Sequence, residues 1–245
     1  MGRFASRQLY SQIGKAIRDY GLIQDGDHIM LGISGGKDSL AMAHIMAELR
    51  SRAPVEFTLV AVTIDPGEPS GFSDEDIAAM ETFFRDLGVP YHVERTGIAR
   101  ILQVHPTKDT LCSLCANLRR GALYKTARAI GAGKVALGHH LDDAIETLFL
   151  NMFYQGSLRC FKPKTMLTRT GVECIRPLVY VAENEIARYA SRLDFPVISP
   201  KCSLSGRTHR QSMKELVTSL SQTIPGFRNQ MRGALKDLWL PEQKV

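Results

Sequence analysis

The stretch His28-Ile29-Met30-Leu31-Gly32-Ile33-Ser34-Gly35-Gly36-Lys37-Asp38-Ser39 reads as a strand, a glycine turn and the start of a helix. His28 to Ser34 is apolar enough for a buried strand, and Asp38 to Arg50 continues as a helix. Between them, Gly35 and Gly36 let backbone N–H groups approach an oxyanion with no side chain in the way. The helix start adds partial positive charge, and Lys37 adds a full one. Ser34 and Ser39 can donate hydroxyl hydrogen bonds to phosphate oxygens. The carboxylate directly after the lysine, Asp38, suits Mg²⁺ held beside a phosphate. The pattern is not Gly-x-x-x-x-Gly-Lys-Ser/Thr. Leu31 stands where that motif needs its first glycine, and Asp38 where it needs Ser or Thr.

Outward from this turn, strand-like and helix-like stretches alternate. Phe57 to Asp65 is rich in β-branched and apolar residues and reads as a second strand. Ser73 can cap a helix running to Leu87, and Val89 to Glu94 forms a third strand. A helix from about Ser113 to Ile130 stops at Gly131 and Gly133, and the strand Val135 to Gly138 follows. The next helix starts near Asp142. Such alternation predicts an α/β fold with a doubly wound, mostly parallel sheet. From Gly156 the style changes to a hairpin around Thr170-Gly171 and three helices, about 182–193, 208–221 and 226–238. This predicts an α/β domain over 1–155, led by an amphipathic helix (Leu9, Ile13, Ile17), and a helical extension over 156–245.

Composition narrows the function classes. The chain has 245 residues, 44% hydrophobic and 23% charged, as soluble globular proteins do. No uncharged apolar run is long enough to span a membrane. The N-terminus reads as an amphipathic helix rather than a signal peptide, so a cytoplasmic location is expected. In that compartment the five cysteines are not expected to form structural disulfides, and metal or redox chemistry is the question to ask of them. Residues 1–155 carry a net −2 and residues 156–245 a net +8. A basic rear third behind a slightly acidic front suits a polyanion such as RNA, although a solvated basic face has the same charge.

A second acidic cluster, Gly138-His139-His140-Leu141-Asp142-Asp143-Ala144-Ile145-Glu146, also follows a strand and opens a helix. In a doubly wound sheet both strand ends face one crevice. Asp142 could equally cap its helix. Asp65, ending the second strand, would border the same crevice. Cys112-Ser113-Leu114-Cys115 is a C-x-x-C at a helix start, and Cys202 lies far downstream. From spacing alone this is a redox pair, part of an iron–sulfur site, or half of a zinc site completed by His105 or His209. Cys160 and Cys174 are assigned no role.

The segment Ser34 to Ser39 resembles the PP-loop of the ATP pyrophosphatase superfamily, whose members cleave ATP to AMP and pyrophosphate. Gly138 to Asp143 is similar to the Gly-His-x-x-Asp-Asp motif of the same enzymes. That resemblance implies that Ser34, Gly35, Gly36, Lys37, Asp38, Ser39, Asp65, Gly138, His139, Asp142 and Asp143 hold ATP, with Asp38 and Asp143 on Mg²⁺. Leu111 to Cys115, Leu118 to Tyr124, Glu146 to Tyr154 and Ile175 to Leu178 add a resemblance to the tRNA 2-thiocytidine synthetase family over nearly the whole chain. It implies a [4Fe-4S] cluster on Cys112, Cys115 and Cys202, which together with Lys37 and Asp38 form the expected catalytic set. Two positions depart from that family: Ser205 stands where many members have a cysteine, and Leu141 where a basic residue is usual. The expected partners are tRNA, a cysteine desulfurase or another sulfur donor, and a second copy of the chain in a homodimer. Arg119, Arg120, Lys162, Lys164, Arg207 and Arg210 are the candidate contacts to tRNA phosphates. Two other readings stand beside this one: the same ATP chemistry on another RNA base or on a small molecule, and a zinc-stabilised RNA-binding module without catalysis.

Overall fold

The structure is a computed structural model that describes residues 2–104, 111–198 and 209–240. The first strand, β1 (Asp27–Ile33), lies between β2 (Phe57–Asp65) and β4 (Lys134–Leu137), parallel to both. Beyond β2 lies β3 (Tyr91–Arg95), also parallel; beyond β4 lies β6 (Val172–Ile175), parallel, and then β5 (Lys164–Leu167), antiparallel at the edge. Among the described residues the sheet order is therefore β3-β2-β1-β4-β6-β5. The chain winds outward from β1 in one direction and from β4 in the other. The C-terminal ends of these two strands thus form a topological switch point, where open α/β sheets leave a crevice.

Two apolar layers sandwich the sheet, because successive side chains of a strand point to opposite faces. Ile29, Leu31 and Ile33 enter one core with α1 (Gly2–Tyr20), α2 (Lys37–Arg50), α3 (Asp74–Asp86) and α6 (Leu141–Gln155). Met30 enters the other, with α4 (Ile98–Gln103) and α5 (Leu111–Ala129). α4 falls in a stretch read from sequence as loop; six residues are too few for helical periodicity to show.

The rear helices are α7 (Glu183–Ala190), α8 (His209–Thr223) and α9 (Phe227–Trp239), close to the expected three. Their apolar residues Ile186, Met213, Val217, Phe227, Leu235 and Trp239 enter the same core as α2 and α6. β6, after residue 155, pairs with β4, before it. The division expected at 155/156 thus runs through one continuous sheet and one continuous core. Leu141 is 2% exposed within that core, which explains an apolar residue there on packing grounds.

Candidate functional site

The turn after β1 is built from its own serines. Ser34 N–H donates to Ser39 Oγ at 3.1 Å, Ser39 Oγ donates to the Gly36 carbonyl at 2.9 Å, and Gly36 N–H donates to Ser34 Oγ at 3.3 Å. Gly35 sits at φ +80°, and a Cβ there would meet Ile198 and Phe72 at 3.2 Å. Gly36 is the N-cap of α2 and supplies no side-chain cap, so a bound anion can take that role at the first turn. On the other side of the switch point, a Cβ on Gly138 would come within 3.1 Å of the Asp38 carbonyl. Only glycine lets the end of β4 approach the start of α2 so closely.

The charged side chains meet in a cavity of about 260 Å³ lined by Lys37, Asp38, His140, Asp143, Glu146 and Glu183 together with Arg210, Gln211 and Lys214 of α8. Lys37 Nζ lies 3.1 Å from Asp38 and 2.9 Å from Glu183, and Glu183 also accepts from Lys214 at 2.8 Å. Burial opposes the charge of Glu183, but Lys214 and Lys37 outweigh it and bring its pKa to about 2. Arg210 bridges Asp143 at 2.6 Å and Glu146 at 3.3 Å. Burial likewise opposes the Asp143 charge, and His140 and Arg210 overcome it, so its carboxyl titrates below the ordinary range. For Glu146, burial and then Asp143 prevail, and its pKa rises.

His140, which sequence reasoning passed over for His139, stands inside this cluster. It caps α6 in a reciprocal box with Asp143, and its Nε2 is 3.4 Å from Asp143 and 4.0 Å from Asp38. A histidine three residues before an aspartate at a helix start was the available signal. His139 instead accepts from Arg176 Nε at 3.3 Å and packs on Phe161; burial, then Arg176, push its pKa down to about 4. Asp142 is 2% exposed and lines neither this cavity nor the apolar one beside the turn: its oxygens accept from Arg228 Nε and from Glu183 N–H, both at 2.7 Å. It is a staple for α7 and α9 rather than the cap of its own helix. Asp65 is also inward, accepting from Gly67 N–H at 3.0 Å and Phe72 N–H at 3.3 Å, and so it shapes the loop after β2.

On the opposite side of the turn lies a mostly apolar cavity of about 130 Å³, lined by Gly32, Ile33, Ile64, Phe72 and Leu137 with Arg119 and Arg120 of α5. A Cβ on Gly32 would strike Leu137 at 2.9 Å, so glycine opens this space. Among the described residues two buried polar atoms beside the turn have no partner, Asp38 Oδ1 and Arg119 Nε. An orphaned carboxylate oxygen next to Asp143 is a hard-oxygen donor set suited to Mg²⁺, and the Arg119 guanidinium suits a phosphate or sugar oxygen. The residues present fit a nucleotide phosphate at the turn. A metal ion there would take further ligands from that phosphate or from water, because among the described residues no group of three His, Cys, Asp or Glu is placed to hold one.

Cys112 is exposed and Cys115 half-buried near the start of α5, free thiols three residues apart. Cys202, Ser205, Arg207 and His105 lie outside the described residues. Cys160 donates to the Ala144 carbonyl and burial pushes its thiol up to about 12, while burial also raises Cys174; both are inert protonated thiols. The remaining candidate phosphate contacts disperse. Lys162 is exposed, whereas Lys164 pairs with Glu173 at 3.2 Å and caps the Gly21 carbonyl, and Arg210 is held in the acidic cluster.

The PP-loop domain family matches residues 5–218. The tRNA-cytidine(32) 2-sulfurtransferase of Geobacter sulfurreducens is 42% identical over 232 residues, 94% of this chain and 89% of that protein. The enzyme of the same name from Chromohalobacter salexigens is 44% identical over 236 residues, 95% of this chain and 81% of that one. Among solved structures, a U34-tRNA thiolase of Methanococcus maripaludis with its [4Fe-4S] cluster superposes with a TM-score of 0.82 at 21% identity, over 99% of this chain and 83% of that one; this likeness shows the fold. With its glycine turn at the β1/β4 switch point and relatives of this similarity along almost its full length, the chain belongs to the PP-loop family, in the group of the tRNA-cytidine(32) 2-sulfurtransferases.

Proposed function

We propose that the protein is an ATP-dependent tRNA sulfurtransferase of the cytoplasm that replaces O2 of an anticodon-loop cytidine with sulfur. The observation that carries the ATP half is the convergence of the Ser34–Ser39 turn, Asp38, His140 and Asp143 on one crevice. ATP lies on residues 34–39. Cytidine O2 attacks the α-phosphorus; the O2–phosphorus bond forms, the bond to the β-phosphate breaks, and pyrophosphate leaves. Sulfide then forms the C2–S bond, and AMP departs carrying the former O2. Sulfur delivered at the sulfide oxidation level makes this exchange redox-neutral.

The chain's own groups account for much of the first step. Lys37 trades Asp38 and Glu183 for the β- and γ-phosphates, and stabilises charge developing on the leaving pyrophosphate. Asp38 and Asp143 would hold Mg²⁺, which would add Lewis-acid stabilisation of the phosphate charge. Arg119 and Arg120 border the nucleotide and the incoming base. Cys112, Cys115 and Cys202 would hold the [4Fe-4S] cluster, which would supply an open iron for sulfide; a cysteine desulfurase or another donor would provide the sulfur, with a two-electron reductant to bring persulfide sulfur to the sulfide level. The relatives' names support the cytidine assignment.

Nucleoside analysis of tRNA from cells lacking this protein tests the reading. Loss of 2-thiocytidine alone, restored by the wild-type chain but not by a Cys112→Ala, Cys115→Ala, Cys202→Ala triple variant, is the expected result. Unchanged 2-thiocytidine would defeat the substrate assignment, and full restoration by the triple variant would defeat the cluster.

A further inference from the structure

Farther along α2 from the phosphate turn, α1, α2 and α7 enclose a recess of about 460 Å³. Its floor is a hydrogen-bonded chain. The Tyr10 hydroxyl donates to the Glu48 carboxylate, Tyr10 and Tyr189 hydroxyls lie 2.9 Å apart, and Tyr189 lies 2.8 Å from His44 Nδ1. A carboxylate only accepts, so the direction is set: Nδ1–H of His44 donates to Tyr189, Tyr189 to Tyr10, and Tyr10 to Glu48. This chain ties the three helices together and gives the recess a defined shape.

Its rim is cationic. Arg7 of α1, Arg52 just past the end of α2 and Arg192 just past the end of α7 all line it, and Glu48 is the only carboxylate among the lining residues. Among the described residues neither Arg7 nor Arg52 makes an ion pair. Helix dipoles explain part of this, because a cation is favoured beside a helix C-terminus, where Arg52 and Arg192 stand. They do not explain Arg7. It lies near the amino end of α1, where an acid is favoured and where the first turn holds none. The rim thus carries three guanidiniums from separate elements against one lining carboxylate, an excess of positive charge that suits an anion.

Its position says which anion. His44 and Glu48 lie seven and eleven residues along α2 from Lys37, close to two and three full turns, so they share the face on which Lys37 stands. The recess begins about 10 Å and extends to about 16 Å along that helix from the phosphate turn. A nucleic-acid strand with one nucleotide in the crevice covers that distance in about three to five nucleotides. Meanwhile Lys164 and Arg210, candidates for this task from sequence, are paired with carboxylates of the chain itself.

We propose that the Arg7–Arg52–Arg192 recess binds backbone phosphates of the substrate tRNA, next to the nucleotides that enter the crevice. The assignment rests on tRNA being the substrate. The test uses the full chain and an Arg7→Ala, Arg52→Ala double variant, titrated with unmodified tRNA across a KCl series, with ATP affinity and thermal midpoint as controls. Affinity at low salt should fall about tenfold, and the plot of log K against log salt should lose about two units of slope, while both controls stay at wild-type values. An Arg7→Lys, Arg52→Lys variant should keep the slope. Wild-type affinity and slope in the alanine variant would overturn the recess while leaving the tRNA reading intact. Weakened binding of inorganic phosphate with unchanged tRNA binding would make it a small-anion site and overturn the RNA assignment. Absence of salt-dependent tRNA binding by the wild-type chain would overturn both.

Discussion

At the scale of single residues, charge pairing decides what each group can do. Lys37 is prepared for phosphate by borrowed partners: burial opposes its charge, and Glu183 and Asp38 more than restore it. Lys37→Ala should lower tRNA-dependent pyrophosphate release by about 100–1,000-fold, with Lys37→Arg between the two, measured as kcat at saturating ATP. His139 illustrates the opposite case. It is folded in its neutral form, with its pKa moved from the ordinary 6.5 to about 4. Between those values the unfolded chain binds the proton and the native one does not, so stability rises with pH there. The contribution is full above pH 6.5 and is lost as pH falls toward 4. Urea midpoints measured across this window should fall with acidification, and a His139→Gln variant should show a shallower fall. His139 and Asp142 were both readable as ligands from the motif. Their hydrogen-bond neighbours Arg176, Arg228 and Glu183 come from 37 to 86 positions away in the chain, which the motif does not reveal.

Elements explain why the motif residues meet. α2 and α6 start at adjacent strand ends, and both starts point into one crevice because β1 and β4 are parallel neighbours. Periodicity and glycine signals placed these starts within a residue or so. The close contact between them was not visible, since it depends on Gly138 lying 3.1 Å, by its absent Cβ, from the Asp38 backbone. Gly138→Ala should push the start of α2 by a few tenths of an ångström. The expected result is a fall of about 10–100-fold in pyrophosphate release with a native circular-dichroism spectrum. A variant that retains wild-type turnover would show that the contact tolerates a methyl. The helix α8 was placed well from sequence. Its role was not: Arg210 was read as a contact to tRNA phosphates and Lys214 was given no role, yet both line the crevice that Lys37 also lines.

At the scale of the whole molecule, one sheet crosses the boundary that composition suggested. Charge and style both change near residue 156, yet the sheet and its core run across that point. β6 supplies the outer partner of β4, and Trp239 of α9 donates to the Phe161 carbonyl at 2.8 Å. A fragment ending at residue 155 would expose the edge of β4 and the apolar faces of α2 and α6. It should therefore be insoluble or show no cooperative urea transition. A monomeric fragment that unfolds cooperatively and binds ATP would restore the two-domain division.

Sequence by itself determined the α/β alternation, the glycine turn after the first strand, the acidic start of α6 and the C-x-x-C of α5. These are local: propensity, periodicity and capping act over a few residues, so they are written in neighbouring letters. Tertiary structure decided which of the acids face the crevice, which basic residues are paired with carboxylates, and that one sheet crosses residue 156. Those depend on charges and apolar faces brought together from distant positions, as Arg210 is to Asp143 and Arg7 to Arg52, and no local pattern carries that information.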